Sequence, residues 1–189
     1  APFSPSGFSP DMMLGLLGGL HLATTLPDER VEPTPPVQWE AVATLDASAV
    51  RRAMRDGLAD DYFYEASPRS ARAWRHARAA RIGQLLRALR QNHGAVSLEW
   101  LRPMPTWEAL RALLRLPGVS LHSAAALLLF ELRRPLLPVC TNALEEAKAI
   151  GWVPPFAGPE AAFLHLHARL PQAAGARRAL YACLCRQNV

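Results

Sequence analysis

Cysteine is scarce in this sequence, and the few cysteines present form no pattern that binds metals or builds a disulfide scaffold. The 189 residues include three cysteines, Cys140, Cys183 and Cys185, and no two of them form a C-x-x-C pair. Small disulfide-rich domains and tetrahedral zinc sites need cysteines in pairs or quartets at characteristic spacings. We therefore expect no disulfide framework, no metal site and no cofactor.

The sequence also lacks a long apolar run and a recognisable secretory signal. Half of its residues are apolar and 20% are charged, but no uninterrupted apolar run approaches the ~18 residues that span a bilayer. The most apolar stretch near the N-terminus, residues 14–22, is interrupted by three glycines and a histidine. We expect a cytoplasmic protein, associated with the nucleoid if it is bacterial.

Alternating apolar and polar residues, which mark a half-buried β-strand, are missing as well. Helical periodicity, with capping residues at the starts and Gly or Pro at the ends, recurs along the chain. The predicted fold class is therefore all-α. The predicted helices cover residues 12–24, 38–45, 49–56, 68–92, 107–115, 120–132, 142–150, 160–169 and 175–188.

Acidic residues are absent between Arg69 and Arg90, where the sequence has seven arginines. This stretch carries a charge of +7, so the rest of the chain sums to −2 to give the net charge of +5. Solvation of an exposed helix face is one interpretation, but the lack of acidic partners favours contact with phosphates. Five of the arginines recur every third residue and form a slanted row on a helix, which we call the basic ridge: Arg69, Arg72, Arg75, Arg78 and Arg81.

Residues 111–142 contain a glycine turn between two helices. Pro117 and Gly118 break the first helix, and a strongly apolar second helix follows from Ser120. The pattern predicts an αα-hairpin in a helical core. A glycine turn that opens a helix also presents free backbone N–H groups at the positive end of the helix dipole, where a phosphate can bind. The predicted phosphate contacts in this hairpin are Leu116, Pro117, Gly118, Val119, Ser120 and Ser123.

The hairpin and the segment after it resemble the helix-hairpin-helix DNA glycosylases of the endonuclease III type. The hairpin of that family reads LPGVGxKTA and is followed by a PVDTH-like segment, and the corresponding runs here are LPGVSLHSA and PVCTN. The resemblance covers about residues 67–155. Eight residues fall on the pattern: Leu116, Pro117, Gly118, Val119, Ala124, Pro138, Val139 and Thr141.

The resemblance implies a two-lobed all-α fold whose partner is double-stranded DNA, including damaged or abasic duplexes. A helical barrel lobe would cover residues 11–136 and carry the helix-hairpin-helix motif at about 107–132. The second helical lobe would comprise residues 137–189 and the N-terminal segment 1–10. Many members of the family carry an iron–sulfur cluster in a loop after the final helix. We expect no such loop here, because Cys183 and Cys185 lie within the predicted last helix.

Two positions that carry the chemistry of the family differ in this sequence. The resemblance implies a lysine in the second hairpin helix, which forms a Schiff base with the sugar, and an aspartate in the PVDTH segment. His122 stands at the lysine position and Cys140 at the aspartate position. An imidazole has no primary amine for a stable iminium, and a neutral thiol cannot supply the missing charge. We therefore expect the usual glycosylase/lyase centre to be lost, with His122 and Cys140 at its catalytic positions.

The sequence leaves three hypotheses of function open. The first is a DNA-binding protein of the endonuclease III-like base-excision-repair family, which holds duplex or damaged DNA through the hairpin and the arginine-rich helix. The second is an active DNA glycosylase of non-standard mechanism, which excises a damaged base with His122, Cys140 or an acid such as Asp28. The third is a helical module that binds a protein partner and no DNA. Titration with duplex DNA at two salt concentrations separates the third hypothesis from the others.

Overall fold

A computed structural model of the chain describes residues 39–46, 48–49 and 68–186, with the side chains of the long helix from Ala80 onward. All regular secondary structure in these ranges is helical, as the sequence predicted. None of these helices combines the length and hydropathy needed to cross a bilayer. The helices are α1 (Trp39–Ala43), α2 (Pro68–His93), α3 (Thr106–Leu114), α4 (Leu121–Phe130), α5 (Thr141–Ala149), α6 (Pro159–Arg169) and α7 (Ala174–Arg186), with a 3-10 turn at Glu99–Leu101.

Each of these helices lies within a few residues of a predicted helix. The predicted helix at 12–24 and most of the one at 49–56 fall outside the described residues. One difference is at the end of α4, which stops at Phe130 although the apolar pattern continues to residue 132. The chain turns there because Arg134 donates its backbone N–H to the Leu128 carbonyl at 2.7 Å, and Arg133 adopts a φ of 52°.

The first of two compact units contains residues 39–46, 48–49, 68–100 and 115–118 of the described chain. In this unit α1 packs against α2, and Glu40 of α1 accepts a hydrogen bond from the backbone N–H of Val96 at 2.6 Å. His93, at the end of α2, stacks on Trp100 with 4.0 Å between the ring centroids. The core is apolar and contains Ala43, Ile82, Leu85, Leu86, Leu89, Val96, Leu98 and Leu116.

The second compact unit contains residues 101–114 and 119–186 of the described chain, with α4 packed against both α3 and α7. All six α4 residues from Ala124 to Leu129 are buried. A helix that is covered on every side carries apolar residues all round, which explains its uninterrupted apolar run. α5 packs against α6 and α7. The predicted lobes, residues 11–136 and residues 137–189 with 1–10, stay a prediction, because much of their N-terminal part falls outside the description.

Arg177 of α7 links several segments of the second unit. Its side chain is fully buried, and all five of its N–H donors find acceptors between 2.7 and 3.0 Å. The acceptors are the carbonyls of Pro135, His167, Leu170 and Pro171 and the Nδ1 atom of His167. Because none of these acceptors is a carboxylate, carbonyl dipoles stabilise the buried guanidinium. No pattern in the sequence distinguishes this arginine from an exposed one.

Candidate functional site

Gly118, in the turn between α3 and α4, lies against the side chain of Arg81 on α2. The φ angle of Gly118 is 79°, in the left-handed region that side chains with a Cβ disfavour. A Cβ atom added at this position would also lie 3.3 Å from the Cβ of Arg81 and 3.6 Å from its Cγ. Because glycine has no Cβ, it tolerates this φ angle and leaves room for the Arg81 side chain. The last arginine of the basic ridge, which is exposed, is therefore in contact with the predicted hairpin turn.

The rest of the basic ridge lies on a single helix, because α2 is helical from Pro68 to His93. The side chains of its other members fall outside the described part of the chain, so their contact with phosphate stays a prediction. Arg87 lies on the same helix off the ridge, and its guanidinium folds back to within 3.2 Å of where a Cβ of Gly83 would be. The ridge members without described side chains are Arg69, Arg72, Arg75 and Arg78.

The predicted apolar contacts of the hairpin differ in burial. Leu116 is 5% exposed and belongs to the core of the first unit, so its side chain anchors the turn. Pro117 and Val119 are half-buried, and Gly118 is exposed. An anion that approached this turn would therefore meet Pro117, Gly118 and Val119 before it met Leu116.

Ser120 is the N-cap of α4, as expected for a serine before an apolar helix. Its Oγ accepts a hydrogen bond from the Ser123 backbone N–H at 3.1 Å and lies 3.0 Å from the Ser123 Oγ. This cap satisfies one of the N–H groups that a helix start leaves without an internal partner. Among the described residues, none accepts a hydrogen bond from the backbone N–H of Leu121 or His122. Those two donors remain available to an anion at the positive end of α4.

His122 lies in the first turn of α4 and is half-buried, with its ring centroid 6.3 Å from that of Tyr181. Burial lowers the pKa of His122 below its ordinary value of 6.5, and a hydrogen bond to the Val139 backbone acts in the opposite direction. Its Nδ1 atom is buried without a hydrogen-bond partner. At neutral pH the ring is therefore uncharged.

Cys140 is the N-cap of α5, one residue before the helix begins. Its Sγ accepts a hydrogen bond from the Ala143 backbone N–H at 3.3 Å. Aspartate is among the most favoured N-cap residues, so the aspartate of the family pattern would make the same contact with a full charge. Because His122 hydrogen bonds to Val139, the structure brings one predicted catalytic position to the backbone next to the other. In the described part of the chain, no group of three or more His, Cys, Asp or Glu side chains could hold a metal ion.

A pocket that the sequence analysis did not predict lies in the second unit. It has a volume of about 290 Å³ and is lined by Lys148 of α5, by His165 and Arg169 of α6, and by the loop between these helices. The loop contributes Trp152 and two prolines. The sequence signal for this pocket is the spacing of His165 and Arg169, which puts two basic residues on one face of α6.

Comparison with known proteins identifies relatives in Arabidopsis thaliana and Oryza sativa, one of them a DNA glycosylase, although no protein-family model matches the chain. The chain is 31% identical over 150 residues to the DNA glycosylase/AP lyase ROS1 of Arabidopsis thaliana, which covers 79% of this chain and 10% of ROS1. It is 31% identical over 150 residues to protein ROS1C of Oryza sativa subsp. japonica, covering 79% of this chain and 7% of that protein. It is 29% identical over 163 residues to the transcriptional activator DEMETER of Arabidopsis thaliana, covering 80% of this chain and 8% of DEMETER. The chain therefore spans a tenth or less of the length of these relatives.

Proposed function

Since this chain belongs to the helix-hairpin-helix DNA glycosylase superfamily, we propose that it binds double-stranded DNA through its hairpin and its basic ridge. The observation that supports this most directly is the contact between Arg81 and Gly118, which adds an exposed cation to the hairpin turn. Arginine side chains and the backbone N–H groups at helix starts commonly contact phosphates, and a phosphate contact does not read base sequence. The expected binding is therefore electrostatic and depends little on sequence.

We further propose that the duplex is bound without the lyase chemistry of the family. The sequence contains a single lysine, Lys148, which pairs with Glu145 at 3.0 Å and lines the pocket between α5 and α6. His122, at the family lysine position, has no primary amine to form a Schiff base with the sugar. Cys140 caps α5 with its thiol, which is a structural role.

The buried Nδ1 of His122 favours a second candidate function, that of a glycosylase with a non-standard mechanism. An enzyme that removes a base without cleaving the strand needs no amine nucleophile, but it must hold the extruded base by hydrogen bonds. An uncharged imidazole with one unpaired nitrogen could form such a bond. Asp28, the other residue considered for this chemistry, falls outside the described residues.

The DNA-binding proposal is tested by titrating labelled duplexes, intact and with one abasic site, at about 50 and 200 mM salt. Both duplexes should bind, and the affinity should fall steeply with salt because each phosphate contact releases counterions. An absence of binding at low salt would contradict the proposal and favour the protein-partner hypothesis.

The second candidate is tested separately by base release from a panel of damaged duplexes. Release that is abolished by His122→Ala would support a glycosylase, and no release would exclude one for those lesions.

A further inference from the structure

The pocket between α5 and α6 combines an aromatic wall with three basic side chains, and we propose that it binds a phosphorylated nucleoside. The aromatic wall is Trp152, and the basic side chains are Lys148, His165 and Arg169. Neither the hairpin residues nor the basic ridge line this pocket. The inference therefore goes beyond the proposed function and does not depend on it.

The end of α5 fixes the aromatic wall in place. Gly151 follows the helix with a φ of 75°, a left-handed conformation typical of the residue that ends a helix. The backbone N–H groups of Trp152 and Val153 both donate to the Ala147 carbonyl, at 2.8 and 3.2 Å. Val153 is buried, whereas Trp152 is 41% exposed. The indole is thus held on a pinned backbone with much of its surface open to a ligand.

The basic side chains come from two helices and are not matched by acidic ones in the pocket. His165 and Arg169 are four residues apart on α6 and so share one face of that helix. Lys148 lies in the last turn of α5 and is paired with Glu145 at 3.0 Å. No aspartate or glutamate lines the pocket. Lys148 and Arg169 also complement the dipoles of their helices, but that role does not require them to face a common pocket beside an indole.

The combination of an indole and basic side chains matches the chemistry of a nucleotide. A base can stack on Trp152, while its phosphate accepts hydrogen bonds from Arg169 and Lys148. The volume of about 290 Å³ lies at the small end of ligand pockets and suits one nucleotide rather than a duplex. The nucleotide could come from a free pool or from an unpaired position of a nucleic-acid strand, and both sources share this chemistry.

Lys148 allows a direct test because it is the single lysine of the chain. The intact protein is treated with an amine-acylating reagent alone or with thymidine 5′-monophosphate, a short oligothymidylate, thymidine, inorganic phosphate or an oligoglutamate peptide. Peptide mass analysis then gives the acylation rate of Lys148, and the rate at the N-terminal amine serves as the internal control. The proposal predicts severalfold protection of Lys148 by the mononucleotide, by the oligothymidylate or by both, and the more potent of the two identifies the source.

Three outcomes would overturn the proposal. They are no protection by either nucleotide probe, equal protection by inorganic phosphate, which indicates a simple anion site, and protection by the oligoglutamate alone, which indicates an acidic protein partner. As a matched test, Trp152→Ala and Arg169→Gln should each weaken nucleotide protection on the order of tenfold. Arg178→Gln removes the same charge from α7, outside the pocket, and should leave protection unchanged. Should Trp152→Ala fail to fold in a thermal melt, Arg169→Gln carries the test.

Discussion

Arg81 and Gly118 are far apart in the chain but in contact in the structure, where a Cβ at Gly118 would lie 3.3 Å from the Cβ of Arg81. Sequence patterns predicted two separate elements for DNA binding, a basic ridge and a glycine hairpin. The contact joins the last arginine of the ridge to the tip of the hairpin. Changes at either residue therefore test both the stability of the first unit and the proposed interface.

We expect Gly118→Ala to lower the free energy of unfolding by about 2 kcal/mol, because alanine is disfavoured at positive φ and its methyl group would crowd Arg81. Urea denaturation measures this change. Gly175→Ala is the matched control, since Gly175 lies in α7 with no atom within 4 Å of its missing Cβ. That variant should be as stable as the wild type or slightly more stable. Equal destabilisation by the two substitutions would contradict the explanation.

Arg81→Gln should weaken binding to every duplex by a similar factor and reduce the slope of log affinity against log salt by about 1, as expected for the loss of one phosphate contact. The salt titration described above measures both quantities. Arg87→Gln removes the same charge from the same helix, but Arg87 folds over Gly83 and lies off the ridge. If both variants lose the same affinity and slope, overall charge explains the binding and the hairpin contact does not.

The helices could be predicted from the sequence because their signals are local. Ser120 precedes an apolar helix and caps it with its hydroxyl, and Gly151 follows α5 with the positive φ angle that glycine tolerates. The N-cap role of Cys140 was harder to predict from the sequence. The sequence pattern predicted that the next helix begins at residue 142, and the resemblance placed Cys140 at a catalytic position of the family, which stays a prediction. In the structure the helix begins at Thr141 and the thiol of Cys140 is its N-cap.

Features that depend on distant residues could not be predicted. In the sequence, Arg177 cannot be distinguished from an exposed arginine. The carbonyls that accept its hydrogen bonds belong to other segments of the chain, at Pro135, His167, Leu170 and Pro171. The pocket around Trp152 likewise requires α5 and α6 to pack together before its basic side chains share a surface. Helical periodicity specifies the face of each helix but not the neighbour that this face meets.

The network of Arg177 and His167 predicts that stability falls on acidification. Burial, with a contribution from Arg177, lowers the pKa of His167 in the folded chain below its ordinary value of 6.5. The unfolded chain therefore binds a proton at His167 more tightly than the folded chain does. The free energy of unfolding should decrease as the pH falls from about 6.5 to the pKa of His167 in the folded chain. Urea denaturation between about pH 7.5 and 5 measures this trend. His167→Asn keeps an acceptor for Arg177 and should make the profile less steep, and the slope that remains includes the contribution of buried His122, whose pKa is also lowered. A wild-type protein that gains stability in acid would contradict the assignment.

The two catalytic positions can be tested by restoring the family residues. Position 122 lies on the first turn of α4, and His122 hydrogen bonds to the backbone next to Cys140. In a Lys148→Arg background, the His122→Lys, Cys140→Asp variant has one lysine, at position 122. We expect borohydride to trap this variant on an abasic duplex by reducing a Schiff base between the lysine at position 122 and the sugar, with the adduct mapped by peptide mass.

The parent chain and the Lys148→Arg variant should give no adduct at residue 122. A folded, DNA-binding variant that is never trapped would show that residue 122 does not reach the sugar, and a wild-type adduct at Lys148 would contradict the proposed loss of lyase activity.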